Sequence, residues 1–152
     1  CALSISKINL HFIGKLQSNK VKDIFSIFNY VHSLDSEKLA LLFSDIEKKY
    51  DKKIKYFIQV NIGEEIQKSG IHIKDCKNFV LFCKKLNLNI QGLMCIPPIN
   101  KNPKDYFLKL KKLNDENNFS ELSMGMSDDF QIAAEMGSTY VRIGTAIFGK
   151  RN

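Results

Sequence analysis

The sequence predicts an α/β protein whose parallel sheet is rolled into a (β/α) TIM-type barrel. Three observations predict it. Strand-like and helix-period stretches alternate one for one along the 152 residues, as in a chain of βαβ units. The stretch IKYFIQVNI, Ile54 to Ile62, is almost continuously apolar and rich in β-branched and aromatic residues, as a strand covered on both faces should be. Polar residues gather on the loops that follow strands, where barrels build their sites. The competing open doubly wound sheet wants a GxGxxG turn after its first strand, and none is present.

Each element follows in order. Ile8 to Ile13 alternates loosely and reads as a strand ended by Gly14. Ser18 is the expected N-cap of a helix with Val21, Ile24, Phe25 and Phe28 at i, i+3, i+4 and i+7. Tyr30 to Leu34 is a short strand, and Ser36 caps the next helix, with Leu39, Leu42, Phe43 and Ile46 inward. After the Ile54–Ile62 strand, GEEIQKSG (Gly63 to Gly70) is a polar loop. A helix starting near Lys74 or Asp75 carries Phe79, Val80, Phe82, Cys83 and Leu86. Asn89 to Met94 is a strand stopped by Pro97-Pro98, and Pro103 opens a helix bearing Tyr106, Phe107, Leu110 and Leu113.

The stretch from Leu122 to Gly149 is the most informative. Leu122 to Met124 is a strand that runs into Gly125, and Ser127 stands where an N-cap belongs. Asp128 and Asp129 occupy a first helical turn, where stabilising the helix dipole is a better account than a carboxylate pair for acid–base work. Ile132, Ala133 and Met136 form one apolar face, closed by Gly137. Tyr140 to Ile143 is the last strand, followed at once by Gly144-Thr145. Small residues directly after two successive strands leave backbone N–H groups bare, an arrangement that suits a phosphate.

The bulk numbers exclude several classes. A hydrophobic share of 44% and a charged share of 26% belong to a soluble globular domain. No apolar run is long enough to cross a bilayer, no secretory signal is visible, and no membrane partner is expected. The net charge of +7 is almost entirely lysine, scattered among Asn and Ile with no interleaved aromatic stripe. A solvated basic surface therefore fits better than a nucleic-acid face. Cys1, Cys76, Cys83 and Cys95 form no CxxC, and no His pair has metal-ligand spacing, so no metal is expected. Cys76 and Cys83 lie one heptad apart on one helix, which suggests core packing and a reducing, cytoplasmic compartment.

The motifs HFIGKLQSNK (from His11), HSLDSEKLA (from His32), IQVNIGEEIQKSGI (from Ile58), GLMCIPP (from Gly92) and LSMGMSDDFQIAAEMGSTYVRIGTAIFG (from Leu122) together resemble the pyridoxal phosphate homeostasis protein family. The resemblance runs from about Ile8 to Arg151. It implies a single-domain barrel like the N-terminal domain of alanine racemase, pyridoxal 5′-phosphate as the ligand, a role in vitamin B6 homeostasis, no established turnover and hence no catalytic residue, and a monomeric full-length protein. Ser127 and the Gly144–Thr145 backbone would then hold the phosphate, and Arg142 would face the pyridine nitrogen. His11, near the end of its strand, could point at the cofactor or be a hydrogen-bonded core histidine. Asn61 and Lys68 could touch a ligand, but loop capping and a solvated loop lysine are the better readings.

The resemblance also implies eight units, of which about six are recognisable over residues 1–152. The first two, with the strand carrying the Schiff-base lysine, would be missing, and the chain would be a fragment or a processed product. Ser6-Lys7 superficially resembles that strand but runs directly into Ile8 without a helix of its own. An open barrel exposes two strand edges, so marginal stability or self-association is expected. The alternative function is a racemase-like enzyme acting on amino acids, which needs a lysine base and a second acid–base group.

Overall fold

The computed structural model describes residues 8–149; the Lys7 expectation lies outside the described residues. Six strands alternate with six helices: β1 (His11–Phe12), α1 (Val21–Ile27), β2 (Tyr30–Leu34), α2 (Glu37–Tyr50), β3 (Lys55–Gln59), α3 (Cys76–Lys85), β4 (Asn89–Met94), α4 (Pro103–Glu116), β5 (Glu121–Met126), α5 (Phe130–Glu135), β6 (Tyr140–Arg142) and α6 (Thr145–Phe148). The strands form one sheet in the order β1-β2-β3-β4-β5-β6, and every neighbouring pair is parallel. Parallel neighbours need crossovers, and the helices supply them.

The sheet is curled. The rings of His11 on β1 and Tyr140 on β6, at opposite ends of the strand order, have centroids 5.5 Å apart. That contact is possible only if the two edge strands bend toward each other around an interior. The interior and the exterior are filled separately. Inside, Tyr30, Phe57 and Met94 form a buried cluster with Tyr140 packed on it. Outside, the helices cover the sheet through Val21, Ile24, Phe25, Leu39, Phe43, Phe79, Val80, Phe107, Leu110 and Ala133, in one continuous core. The helix faces expected from their 3.6-residue spacing are the ones that pack there.

Cap chemistry explains where several elements begin. Ser36 accepts from the Leu39 amide at 3.3 Å, as a side-chain N-cap does. Asn102 does the same for Lys104, with Pro103 at the first helical position. Ser18 does not cap α1: it opens a 3-10 turn, Ser18–Lys20, that leads into the helix without a side-chain cap.

The first strand is shorter than its pattern. Only His11 and Phe12 pair in register with Tyr30 and Val31. Just before them, the Leu10 carbonyl accepts from both the Asn29 and Tyr30 amides, and the Leu10 N–H donates to Asn29 Oδ1. The loop ahead of β2 thus takes the place of ladder partners. Strand β3 also ends early, at Gln59, because Val60 turns to bridge Ile71. Asn61 then closes the loop by donating to the Glu65 carbonyl at 2.8 Å and accepting from its amide at 3.2 Å, so loop capping is its role.

Glycines allow two close approaches. A Cβ at Gly92 would collide with the Glu121 carbonyl, which is paired with it across β4 and β5. Gly125 has φ +95° and lies against Ala133, which seats α5 under the end of β5.

Candidate functional site

Period-two alternation sends Tyr30 and His32 of β2, and Tyr140 and Arg142 of β6, toward the same interior. Above the aromatic layer lies an open cavity of about 1220 Å³, roomy beside the roughly 300–1,000 Å³ of ordinary small-molecule clefts. Its walls include His11, His32, Ser127, Tyr140, Arg142, Gly144 and Thr145. All five residues singled out from the sequence, Ser127, Arg142, Gly144, Thr145 and His11, therefore line one space. Lys68 lies elsewhere, donating to the Pro97 carbonyl and paired with Glu65 at 2.7 Å.

Ser127 has a different partner from the one its position suggests. It does not cap α5, whose preceding residue is Asp129. Its Oγ instead accepts from the amides of Gly144 at 3.2 Å and Ala146 at 3.3 Å. Those amides, expected to be bare, are gathered onto a hydroxyl that still has its own hydrogen to give. Asp129 Oδ1 accepts from the Met126 amide and pins the loop between β5 and α5, so its carboxylate is engaged in building the loop.

Arg142 reaches inward. One Nη donates to Ser123 Oγ at 2.6 Å and the other to the Cys95 carbonyl at 2.8 Å. Both partners are neutral, and among the described residues Arg142 has no carboxylate ion pair. Burial lowers its pKa, yet a guanidinium stays charged at any ordinary pH. The site therefore holds a half-buried cation that Asp129 influences only through space, with no carboxylate at ion-pair distance, a setting that favours an acceptor or anion.

Two histidines complete the interior. His32, 1% exposed, meets Ser123 Oγ through Nδ1 at 2.8 Å and His11 Nδ1 through Nε2 at 2.9 Å. It stacks on Phe57 at 4.5 Å, and His11 stacks on Tyr30 at 4.1 Å. Burial, then the neighbouring His11 and Arg142 charges, push the His32 pKa down to about 3. Burial also lowers that of His11. Both rings are neutral at physiological pH. His11 is half-buried, hydrogen-bonded to His32 and on the cavity wall. His32 and Ser123 were not singled out from the sequence; the signal was a polar residue on the inward phase of a buried strand. Tyr30 accepts from Lys55 Nζ at 2.9 Å, and this bond lowers its pKa. Burial raises that of Tyr140 to about 12.

Among the described residues no cluster of His, Cys, Asp and Glu could hold a metal ion, and no helix is long and apolar enough to cross a membrane.

Fold and cavity together define a barrel of the alanine racemase N-terminal type. Residues 5–152 match the family described as "Alanine racemase, N-terminal domain". Two curated relatives are called pyridoxal phosphate homeostasis protein. The one from Aquifex aeolicus is 41% identical, with 99% of this chain aligned to 70% of that protein. The one from Vibrio cholerae is 42% identical, with 93% of this chain aligned to 64% of it. The chain belongs to the pyridoxal phosphate homeostasis protein family. Among solved structures, PipY of Synechococcus elongatus PCC7942 with PLP bound superposes with a TM-score of 0.87 at 29% identity, over 95% of this chain and 72% of that one. Alanine racemase of Clostridium difficile 630 superposes with a TM-score of 0.72 at 14% identity, over 95% and 40%, a likeness of fold.

Proposed function

We propose that this chain binds pyridoxal 5′-phosphate in the cavity between β1 and β6 and serves vitamin B6 homeostasis without catalytic turnover. The observation that carries the reading is the half-buried Arg142, free of any carboxylate ion pair, in one cavity with Ser127, Gly144 and Thr145. The donor set fits the group: a guanidinium and the Ser127 hydroxyl, which keeps its own hydrogen to give while the Gly144 and Ala146 amides donate to its oxygen, suit an anion with several acceptor oxygens. The PLP-bound PipY structure and the relatives' names support the same ligand.

In this reading Ser127 and the Gly144–Thr145 backbone hold the phosphate, Arg142 faces the pyridine nitrogen, and His11 forms part of the wall. When bound, the cofactor supplies an electron-accepting pyridine ring, and a cation beside the ring nitrogen disfavours its protonation and weakens that acceptor. Arg142 thus favours holding the vitamin over reacting it. The six strands are read as one partial barrel, which two further strand–helix units between β6 and β1 would close. Buried free Cys76, Cys83 and Cys95 support a reducing, cytoplasmic location.

Titration of the purified chain with pyridoxal phosphate, followed by absorbance and intrinsic fluorescence, tests the proposal. Saturable binding that pyridoxal without phosphate does not reproduce is expected. Equal binding of both, or of neither, overturns it.

A further inference from the structure

Four side chains from four strands meet end to end across the barrel interior. Arg142 of β6 touches Ser123 of β5, Ser123 touches His32 of β2, and His32 touches His11 of β1. Each contact is 2.6–2.9 Å. Such a chain can be polarised in two ways, and Arg142 decides between them. A guanidinium only donates. Ser123 Oγ therefore accepts from Arg142, and its own hydrogen needs an acceptor. Among the described residues its only other partner is His32 Nδ1. If His32 Nδ1 accepts, the His32 proton sits on Nε2 and is donated to His11 Nδ1. His11 then carries its proton on Nε2, the nitrogen not used by the chain. The opposite polarity would strand the Ser123 hydrogen in a fully buried place, which buried hydroxyls avoid.

We propose that Arg142, Ser123, His32 and His11 form a one-way hydrogen-bond relay that fixes His11 as an Nε2–H donor on the cavity wall. His32 and Ser123 are positioning residues: they act on a ligand only through the two ends of the chain. With a guanidinium at one end and a ring N–H at the other, the cavity presents donors from opposite strands. It selects a ligand with acceptors on two sides, and this selection rests on the pyridoxal phosphate reading. The lowered pKa values of both rings keep the relay neutral and intact through the physiological range. The stacks of His11 on Tyr30 and His32 on Phe57 hold the ring planes, and turning His32 over within its plane would break both of its ring hydrogen bonds.

The test is long-range proton–nitrogen correlation NMR on the full chain labelled with nitrogen-15, which reads the tautomer of each imidazole without any ligand. The relay requires the Nε2–H pattern for both His11 and His32, unchanged between about pH 7 and pH 8. Finding the proton on Nδ1 of His32 overturns it, and this wild-type measurement needs no variant to fold. Ser123→Ala should convert His32 to a mixture of tautomers, whereas Ser123→Thr, which keeps the hydroxyl, should restore the single pattern. An unchanged pattern in Ser123→Ala overturns the assigned direction. Pyridoxal phosphate is then added to the wild-type sample. Displacement of the His11 Nε2 signal is expected, and Ser123→Ala should weaken binding about tenfold. Binding that leaves the His11 signals in place overturns the donor role. Absence of binding alongside the Nε2–H patterns overturns the ligand reading and the selection built on it, while the polarity stands.

Discussion

Ser127 Oγ lies 3.2 Å from the Gly144 amide nitrogen, joining the loop after β5 to the loop after β6. The bond ties together two strand ends separated by 17 residues. It brings the Gly144 and Ala146 amides together on the hydroxyl of Ser127, which lines the cavity. Replacing Ser127 with Ala removes the acceptor that aims those amides and the hydroxyl that would itself donate to an anion. Pyridoxal phosphate affinity should fall by roughly tenfold. The melting temperature should change little, because the bond lies in an exposed loop. Fluorescence titration with a parallel thermal melt checks both; wild-type affinity in a folded variant removes Ser127 from the site.

Arg142 separates charge from geometry. Arg142→Lys retains a cation but cannot fork to Ser123 and the Cys95 carbonyl together, a reach that depends on the planar guanidinium. Arg142→Gln keeps hydrogen-bonding capacity and loses the charge. If the half-buried cation holds the ligand, the Gln variant should bind at least tenfold more weakly, and the Lys variant should fall between it and wild type. Isothermal titration of the three proteins gives the order. Gln binding as tightly as wild type would show that the charge is not used.

Acid should loosen this protein in a defined window. His32 is neutral in the folded state, with a pKa near 3 against an ordinary value of 6.5. Between those values the unfolded chain binds a proton that the folded chain refuses. Stability is therefore full above about pH 6.5 and falls as pH drops toward 3, by up to about 1.4 kcal/mol per pH unit for this one group. His11, shifted the same way, adds to the loss. Urea melts at pH 7, 6, 5 and 4 should show a falling midpoint, and His32→Gln should flatten the slope. A wild-type midpoint that rises on acidification contradicts the assignment.

The strands, the helices and their order were legible because burial on both faces writes itself into composition, and Ile54 to Ile62 is the plainest case. The ends were less legible. Ser18 has the right residue type for a cap, but a 3-10 turn places it one turn too early. Ser127 is likewise a cap by type, yet its acceptor is used by amides of the loop after the neighbouring strand β6. A local pattern cannot show a partner that arrives from another strand. His32 and Ser123 were passed over for the same reason: each looks like an ordinary residue on its own strand, and their meaning comes from contact over 91 positions.

The open sides of the sheet should drive association. Ile8, Leu10 and Ile13 are exposed around β1, and Met126, Val141, Ile147 and Phe148 around β6, with Phe148 85% exposed. Exposed apolar side chains beside strand edges that are unpaired among the described residues are sticky in water. Sedimentation velocity of this chain across a hundredfold range of concentration should show a weight-average mass that rises. A monomer at all concentrations would mean that these side chains are covered from within.

The support of the site reaches back to Glu47 on α2, 1% exposed. Its Oε1 accepts from Tyr56 Oη at 2.9 Å and from the Ile54 amide at 3.1 Å, and its Oε2 from Lys53 Nζ at 2.8 Å. These bonds hold the start of β3, and one residue after Tyr56 comes Phe57, on which His32 stacks. Glu47→Ala leaves a buried hydroxyl and a buried amide without an acceptor, at a cost of about 3–5 kcal/mol. Glu47→Gln can keep the Oε1 bonds but turns a donor toward the Lys53 ammonium, and should cost about 1–3 kcal/mol. Lys53→Met removes only a half-exposed partner, worth about 0–1 kcal/mol. Urea unfolding of the three variants should give that order. The Ala variant, where folded, should also broaden the His32 ring signals as Phe57 loosens. An Ala variant within about 1 kcal/mol of wild type would place the anchor of β3 elsewhere.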